Sequence, residues 1–475
     1  MGSIVKYIYF LICCFLMLVG CGGGGDSSVT TISGAGLDAS GASPSVWLSS
    51  TQGAYTANKI FIQKANNLEI KVSCGPSTFS LGCGTANALY ATVTVCAPGD
   101  QSKCEVIDHV LVDTGSVGLR VLASKVSNIG LPAASTKAGG TSQSWECYPF
   151  VIGGLWGQVK VADVELGMQR AKAIPVQLIE DDPNALIQAP LDCVNAADQK
   201  ILSSFTDLGA NGILGIGSVT LDCGQTCLIG DYSASSFIQY YSCPLGAISS
   251  LNCISAAMSE NQLVFNPVAA LDPLIFGGVA DNNGVIIILP SVTGLGAGEV
   301  HGELIFGIDT RENNKLEQGS VKVRLGVDFF GNQKSYLGVT TVYKNQTYYN
   351  SYLDTGTNAL FFSSSIERCP SDKNGNVSPW YCPLDLQIKY ADISDGERIP
   401  QNSVNVGFNV GNANSLFSTI NSAFGDLAGS PPSSSTPGIF TFSWGMPFFY
   451  GRRVALSIWD LKTSTPAPWY SWSSI

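Results

Sequence analysis

Histidine is nearly missing from this chain, which has only His109 and His301 in 475 residues. Charge is sparse as well, at 13 %, with 25 Lys and Arg against 36 Asp and Glu. Each shortage excludes something. Two isolated histidines give a zinc site little to work with, and a Ser-His-Asp triad would have to use one of them without any Gly-x-Ser-x-Gly elbow in the sequence. A formal net charge of −11, with no cluster of Lys and Arg, argues against nucleic acid as a partner, since phosphate binding draws on grouped cations. The apolar run from Ile8 to Val19 is short for a membrane span. What the chain does have is turn and strand chemistry: 52 Gly, 22 Pro, and many Val, Ile, Thr and Tyr. Its length accommodates two similar β-rich lobes.

The N-terminus places one Lys6 before the apolar run and ends it on Leu18-Val19-Gly20-Cys21. That tetrapeptide resembles the lipobox of bacterial lipoproteins, in which small residues admit the signal peptidase and the Cys thiol takes the lipid. Residues 1–20 are therefore expected to be a signal peptide, and 21–45 the lipid-bearing Cys21 with a flexible tether. Gly22 to about Ser43 is too rich in Gly and Ser to build a core. An ordinary secretory signal ending near a Cys is the plainer alternative. Gly22 stands where an Asp would resemble an inner-membrane retention signal, so the expected location is the bacterial cell envelope, at the outer membrane.

Setting aside Cys13, Cys14 and Cys21 leaves twelve of the 15 cysteines. An even number in an exported chain reads as disulfides rather than zinc ligands. Short loops suggest Cys96 with Cys104 and Cys369 with Cys382. Cys223-Gly-Gln-Thr-Cys227 is not a CxxC redox motif.

The chain repeats itself. ATVTVCAPGDQSKCEVIDHVLVDTGSVGLRVL ends on residue 122, and LGVTTVYKNQTYYNSYLDTGTNALFF ends on residue 362. Each reads as a hairpin with polar turn residues, then Asp-Thr-Gly, then an apolar strand. Each is followed later by an apolar segment carrying Gly: Asn211 to Gly217 after the first, and Phe442 to Phe449 after the second. Two lobes follow, 46–290 and 291–475, linked near Asn282 to Pro290. Gly429 to Pro437 reads as an exposed loop.

Leu111-Val112-Asp113-Thr114-Gly115-Ser116 and Tyr352-Leu353-Asp354-Thr355-Gly356-Thr357 resemble the two active-site signatures of pepsin-like aspartic peptidases. Asn211 to Gly217 and Leu274 to Gly278 are similar to segments of that fold's first lobe. Over nearly the whole mature chain the sequence is similar to a family of bacterial exported proteins built on a domain of unknown function. The resemblance implies an all-β, bilobal fold with a cleft between related lobes, and Asp113 and Asp354 as the catalytic pair. Thr114 and Thr355 would hydrogen-bond across the two loops, and Ser116 and Thr357 would each donate to the neighbouring carboxylate. Gly115 and Gly356 are expected to let the chain turn sharply at each loop tip. Two carboxyls held that close share a proton, one form activating water while its protonated partner polarises the scissile carbonyl. Neither metal nor cofactor is called for.

Two features depart from the pattern. The hairpin that would cover the cleft, Trp145 to Gly167, puts Phe150 near the position of the expected Tyr, with Tyr148 and Trp156 as its neighbours. The second apolar segment continues as Met446-Pro447, where pepsin-like enzymes often have Asp. Nor does a basic propeptide precede the first lobe. The reading that results is a monomeric, lipid-anchored aspartic endopeptidase acting on extended polypeptide segments, with a preference for apolar side chains. Its rivals are a catalytically silent lipoprotein that holds peptides or surface polymers, and an envelope protein in which the paired loops only brace the lobes.

Overall fold

The structure is a computed structural model that describes residues 64–475 apart from 77–82, 84, 135–141, 151–152, 197–199, 224–226, 229–237, 248, 274–277, 331–332, 372–374, 398–399, 432–441 and 460–467. The signal segment, Cys21 and the tether lie outside the described residues, as do 274–277 of the Leu274 to Gly278 segment and 432–437 of the predicted loop.

Nearly all of the regular structure is strand. The first half contributes β1 (Asn67–Val72), β2 (Leu89–Ala97), β3 (Asp100–Asp113), β4 (Val117–Leu122), β5 (Ser142–Phe150), β6 (Gly153–Leu166), β7 (Gln169–Ile179), β8 (Gly212–Ile216), β9 (Gln239–Pro244) and β10 (Ile254–Ser255). β2 shows why: Ala91, Val93 and Val95 are buried while Thr92 is exposed and Thr94 half-buried, the period-two pattern of a half-buried strand. It pairs with β3 in a hairpin whose turn is Pro98-Gly99, and Cys96 and Cys104 sit opposite each other and are bonded. β4 and β8 are buried throughout; β8 reads as an unbroken apolar run, and β4 does so except at Arg120.

The second half contributes β11 (Gly284–Leu289), β12 (Val300–Phe306), β13 (Val323–Arg324), β14 (Gly326–Phe330), β15 (Gln333–Tyr343), β16 (Gln346–Leu353), β17 (Leu360–Phe361), β18 (Gln387–Ser394), β19 (Ser403–Val410), β20 (Ala428–Gly429), β21 (Ser443–Trp444), β22 (Arg452–Ser457) and β23 (Trp469–Ser474).

Strand order exposes the duplication. The first lobe runs β7-β4-β8-β3-β2, and the second runs β20-β17-β21-β16-β15. In each, the strand ending at the Asp-Thr-Gly lies parallel to a later strand: Val112 opposite Leu214 in β3/β8, Leu353 opposite Trp444 in β16/β21. The strand leaving the motif then runs antiparallel to that same partner, with Leu119 opposite Leu214 and Leu360 opposite Trp444. The two halves therefore have related folds, and the all-β, two-lobed architecture follows from their pairing alone.

The lobes share a sheet. Continuing past β2, the order is β1-β12-β11-β22-β23-β13, so the C-terminal strands lie in one sheet with the first lobe. Asn87 braces the junction. It is fully buried, and its side chain donates to the carbonyls of Asn358 and Phe424 while accepting from Phe424 N and Tyr450 Oη. The cores differ in chemistry: the first is aliphatic, whereas the second centres on Phe442 stacked at 4.5 Å on Trp444 and at 5.0 Å on Phe362.

All twelve cysteines are bridged. Besides Cys96–Cys104 and Cys369–Cys382, the pairs are Cys74–Cys83, Cys147–Cys193, Cys223–Cys227 and Cys243–Cys253. Among the described residues no helix is long and apolar enough to cross a membrane.

Candidate active site

The two Asp-Thr-Gly loops meet at the junction of the lobes. Their backbones are locked by a reciprocal set of hydrogen bonds. Thr114 N donates to Thr355 Oγ1 at 3.1 Å, and Thr355 N donates to Thr114 Oγ1 at 3.0 Å. Each hydroxyl then donates onward to the strand behind the other loop, Thr114 Oγ1 to Leu353 O at 3.0 Å and Thr355 Oγ1 to Val112 O at 2.7 Å. Both threonines are buried, so these polar groups have no water to fall back on, and the four bonds satisfy one another.

That lock sets the carboxylates. Asp113 Oδ1 accepts from Gly115 N at 2.8 Å and its Oδ2 from Ser116 Oγ; Asp354 Oδ1 accepts from Gly356 N at 2.7 Å and its Oδ2 from Thr357 Oγ1 at 2.7 Å. The glycines are needed for close approach rather than for a left-handed turn, since neither has a positive φ. A Cβ on Gly115 would lie 2.8 Å from Asp354 Cγ, and one on Gly356 would lie 2.6 Å from Asp113 Oδ1. Any side chain at either position would drive into the opposite carboxylate. Gly215 and Gly445 play a matching part beneath, where a Cβ would strike the backbone of Val117 or the Thr357 carbonyl.

The pair is not symmetric in its surroundings. Asp113 is 5 % exposed and Asp354 half-buried. Burial first, and then the neighbouring Asp354 carboxylate, push the Asp113 carboxyl up to about 8, against the opposing pull of Ser116 and Gly115. Two carboxyls in such contact hold one proton between them through the neutral range. The arrangement can offer a carboxylate and a carboxylic acid at the same reacting centre without a metal ligand set. Among the described residues there is no group of three or more His, Cys, Asp and Glu that could hold a metal.

Beneath Asp354 lies a residue that the sequence did not flag. Tyr470 of β23 donates from its hydroxyl to Leu353 O at 2.8 Å, so that carbonyl accepts from both Tyr470 and Thr114. Its phenol is raised by burial and by Asp354. Only a strand near the C-terminus folding back under the loop brings it there.

The hairpin over the first lobe is β5/β6. Strand parity divides its aromatic residues. Tyr148 pairs with Leu155 and shares a face with Phe150, whereas Trp156 pairs with Cys147 on the other face. Trp156 is buried against Trp145 and donates from Nε1 to Ile187 O, so it turns away from the carboxylates. Tyr148 packs among Leu122, Ile213 and Phe150 and, among the described residues, its hydroxyl has no hydrogen-bond partner. Leu111 and Tyr352 each stand two residues before a catalytic candidate, on the same strand face, and each is partly exposed.

The histidines stand elsewhere. His109 contacts Asp108 at 2.8 Å and meets Tyr90 edge-on. His301 lies between Glu69 and Glu299, whose bonds and charges outweigh its burial and raise it to about 9.

Comparison with known proteins gives three findings. No curated protein sequence matches the chain. Among solved structures, an aspartic proteinase from Irpex lacteus is similar at 15 % sequence identity, covering 86 % of this chain and 97 % of its own, with a TM-score of 0.45. The model of the family described as protein of unknown function (DUF3443) matches residues 62–472. That match takes in both Asp-Thr-Gly loops, the shared sheet and the C-terminal strand carrying Tyr470, and the chain belongs to the DUF3443 family.

Proposed function

We propose that this protein is an aspartic-type endopeptidase of the bacterial envelope, held to the outer membrane through lipid on Cys21. The observation that supports the catalytic reading is the reciprocal Thr114/Thr355 lock, which joins the two carboxyl-bearing loops from different lobes; in this reading the raised Asp113 carboxyl holds the proton that the pair shares. In this reading the ionised member takes a proton from water as it attacks the peptide carbonyl. The protonated member donates to the carbonyl oxygen, and the proton then passes to the departing amine. Fixed geometry and a shared proton supply the chemistry, so no covalent intermediate arises.

Substrate preference follows from the walls. Leu111, Phe150 and the Tyr148 ring on one side, with Tyr352 on the other, favour apolar side chains beside the scissile bond. An extended polypeptide lying between the lobes would meet these surfaces in alternation.

Purified mature chain lacking the lipid-bearing Cys should cleave a chemically unfolded protein at mildly acidic pH, and a statine-type peptide should stop it. No cleavage between about pH 3 and 7 together with no affinity for that inhibitor would remove the peptidase reading. Affinity for peptides without turnover would leave a binding protein in its place. Anchorage is tested separately by fatty-acid labelling of the intact precursor, which Cys21→Ser should abolish.

A further inference from the structure

A second cluster of charged groups lies inside the first lobe and takes no part in the chemistry above. Arg120, in β4 directly after the first Asp-Thr-Gly, is fully buried. Its Nη2 donates to Glu146 Oε1 at 2.7 Å and to Asp222 Oδ2 at 2.9 Å, and its Nη1 to Val117 O at 2.6 Å. Tyr240 of β9 donates to Asp222 Oδ2 at 2.8 Å and accepts from Val264 N at 2.8 Å, which ties the cluster to two further segments. Glu146 Oε2 and Asp222 Oδ1 face no donor. Burial, and then the neighbouring Glu146, pushes the Asp222 carboxyl well up, and a proton held on Asp222 would turn its orphan acceptor into a donor.

Such a cluster is a poor way to fill a core, because a buried ion pair seldom outweighs the cost of desolvating it. The second lobe shows the cheaper solution. Arg120 stands opposite Gln177 in β4/β7, and the matching register in β17/β20 puts Phe361 in its place. An apolar ring suffices there. What the first lobe gains lies above the guanidinium: the Tyr148 ring sits over Arg120 at 3.8 Å. Leu111, two residues before Asp113 in β3, packs against the same cluster as the Tyr148 ring, so the ring lies on the side of the hairpin that faces the first Asp-Thr-Gly strand.

The hairpin is fixed elsewhere as well. Gly154 N donates to Lys200 O and Gly154 O accepts from Leu202 N, both at 2.8 Å, and Cys147 is bonded to Cys193 on the opposite face. We propose that Arg120 is a positioning residue: pinned by Glu146 and Asp222, its guanidinium holds the Tyr148 ring as a rigid wall beside Asp113, making the β5/β6 hairpin a fixed side of the cleft rather than a lid that must close. The role in substrate binding rests on the peptidase reading; the fixed ring does not.

The experiment therefore reads the ring directly. In protein carrying ring-labelled tyrosine, Tyr148 should flip slowly in the wild type, and in Arg120→Met its flipping and the amide exchange of residues 145–148 should rise at least tenfold. Exchange in the β2/β3 hairpin should stay unchanged. Affinity for a statine-type peptide should fall about 3- to 10-fold, the cost of ordering one side chain on binding, with KM rising by the same factor and kcat steady. Asp222→Asn, a neutral near-isostere of a protonated carboxyl, should keep the ring slow. If Arg120→Met does not fold, Arg120→Lys decides, because a Lys cannot both stack on the ring and bond two carboxylates. Unchanged ring dynamics in the folded Arg variant would overturn the proposal. A loosened ring in a protein whose wild type never cleaves peptides would uphold the positioning role and remove the peptidase reading alone.

Discussion

Replacing Asp113 by Asn should make the folded protein more stable at pH 7 and leave it unchanged at pH 4. The sign follows from the raised carboxyl. A buried acid whose folded value lies near 8 keeps its proton where the unfolded chain, with an ordinary Asp near 3.9, has lost it. Its stabilising protonation is thus fully present below the unfolded value, and that advantage drains away as pH rises toward the folded one. At about 1.4 kcal/mol per pH unit over roughly three units, the native state carries a penalty of up to about 4 kcal/mol at pH 7. Asn cannot ionise and still accepts from Gly115 N, so the variant escapes the penalty. With unfolding entropy of about 2.1 cal/mol/K per residue, that corresponds to roughly 4–5 °C in Tm for a chain of this size. Thermal and urea unfolding of both proteins at pH 4 and pH 7 give the comparison. A stability difference of the same sign and size at both pH values would show that ionisation of Asp113 does not strain the fold, and the shared-proton account would fail.

Three further outcomes test the supports. Thr114→Val removes the acceptor for Thr355 N and the donor to Leu353 O while filling the same space; it should cost about 2–3 kcal/mol in urea unfolding. Tyr470→Phe leaves Leu353 O with Thr114 as its donor, so stability should fall by only about 1 kcal/mol. Peptide turnover should nevertheless drop several-fold at constant KM, because the loop carrying Asp354 is loosened. Removing the Cys147–Cys193 bridge, which spans 46 residues, by a double Ser substitution should cost about 4 kcal/mol from loop entropy, as read from the shift in denaturation midpoint.

How much of this was legible in the sequence depended on distance along the chain. The Asp-Thr-Gly loops could be recognised because duplication preserved whole local units, and Gly115, Gly215, Gly356 and Gly445 mark points where an opposing carboxylate or a neighbouring backbone lies too close for a Cβ. The reason first given for Gly115 and Gly356, a sharp turn, is replaced by the nearness of the opposing carboxylate. The short loops of Cys96–Cys104 and Cys369–Cys382 were equally readable, being closures within a hairpin and a single loop. Asn87, Tyr470 and Asp222 were not, because each acts on a partner more than a hundred residues away and none stands in a motif. Tyr148 and Trp156 show a different limit. Both stand in the hairpin that the pattern predicts, but which face each occupies is decided by strand register, and a one-residue slip would exchange them.

The central claim is that Asp113 and Asp354, from opposite lobes, work as one pair. Cleavage of a labelled apolar peptide by the wild type, Asp113→Asn and Asp354→Asn, measured side by side with statine-peptide binding as a check on folding, tests it most directly. Both variants should remain folded and both should lose at least about a thousandfold in kcat, as groups acting as a unit do. Retention of near wild-type cleavage by either variant would contradict the account.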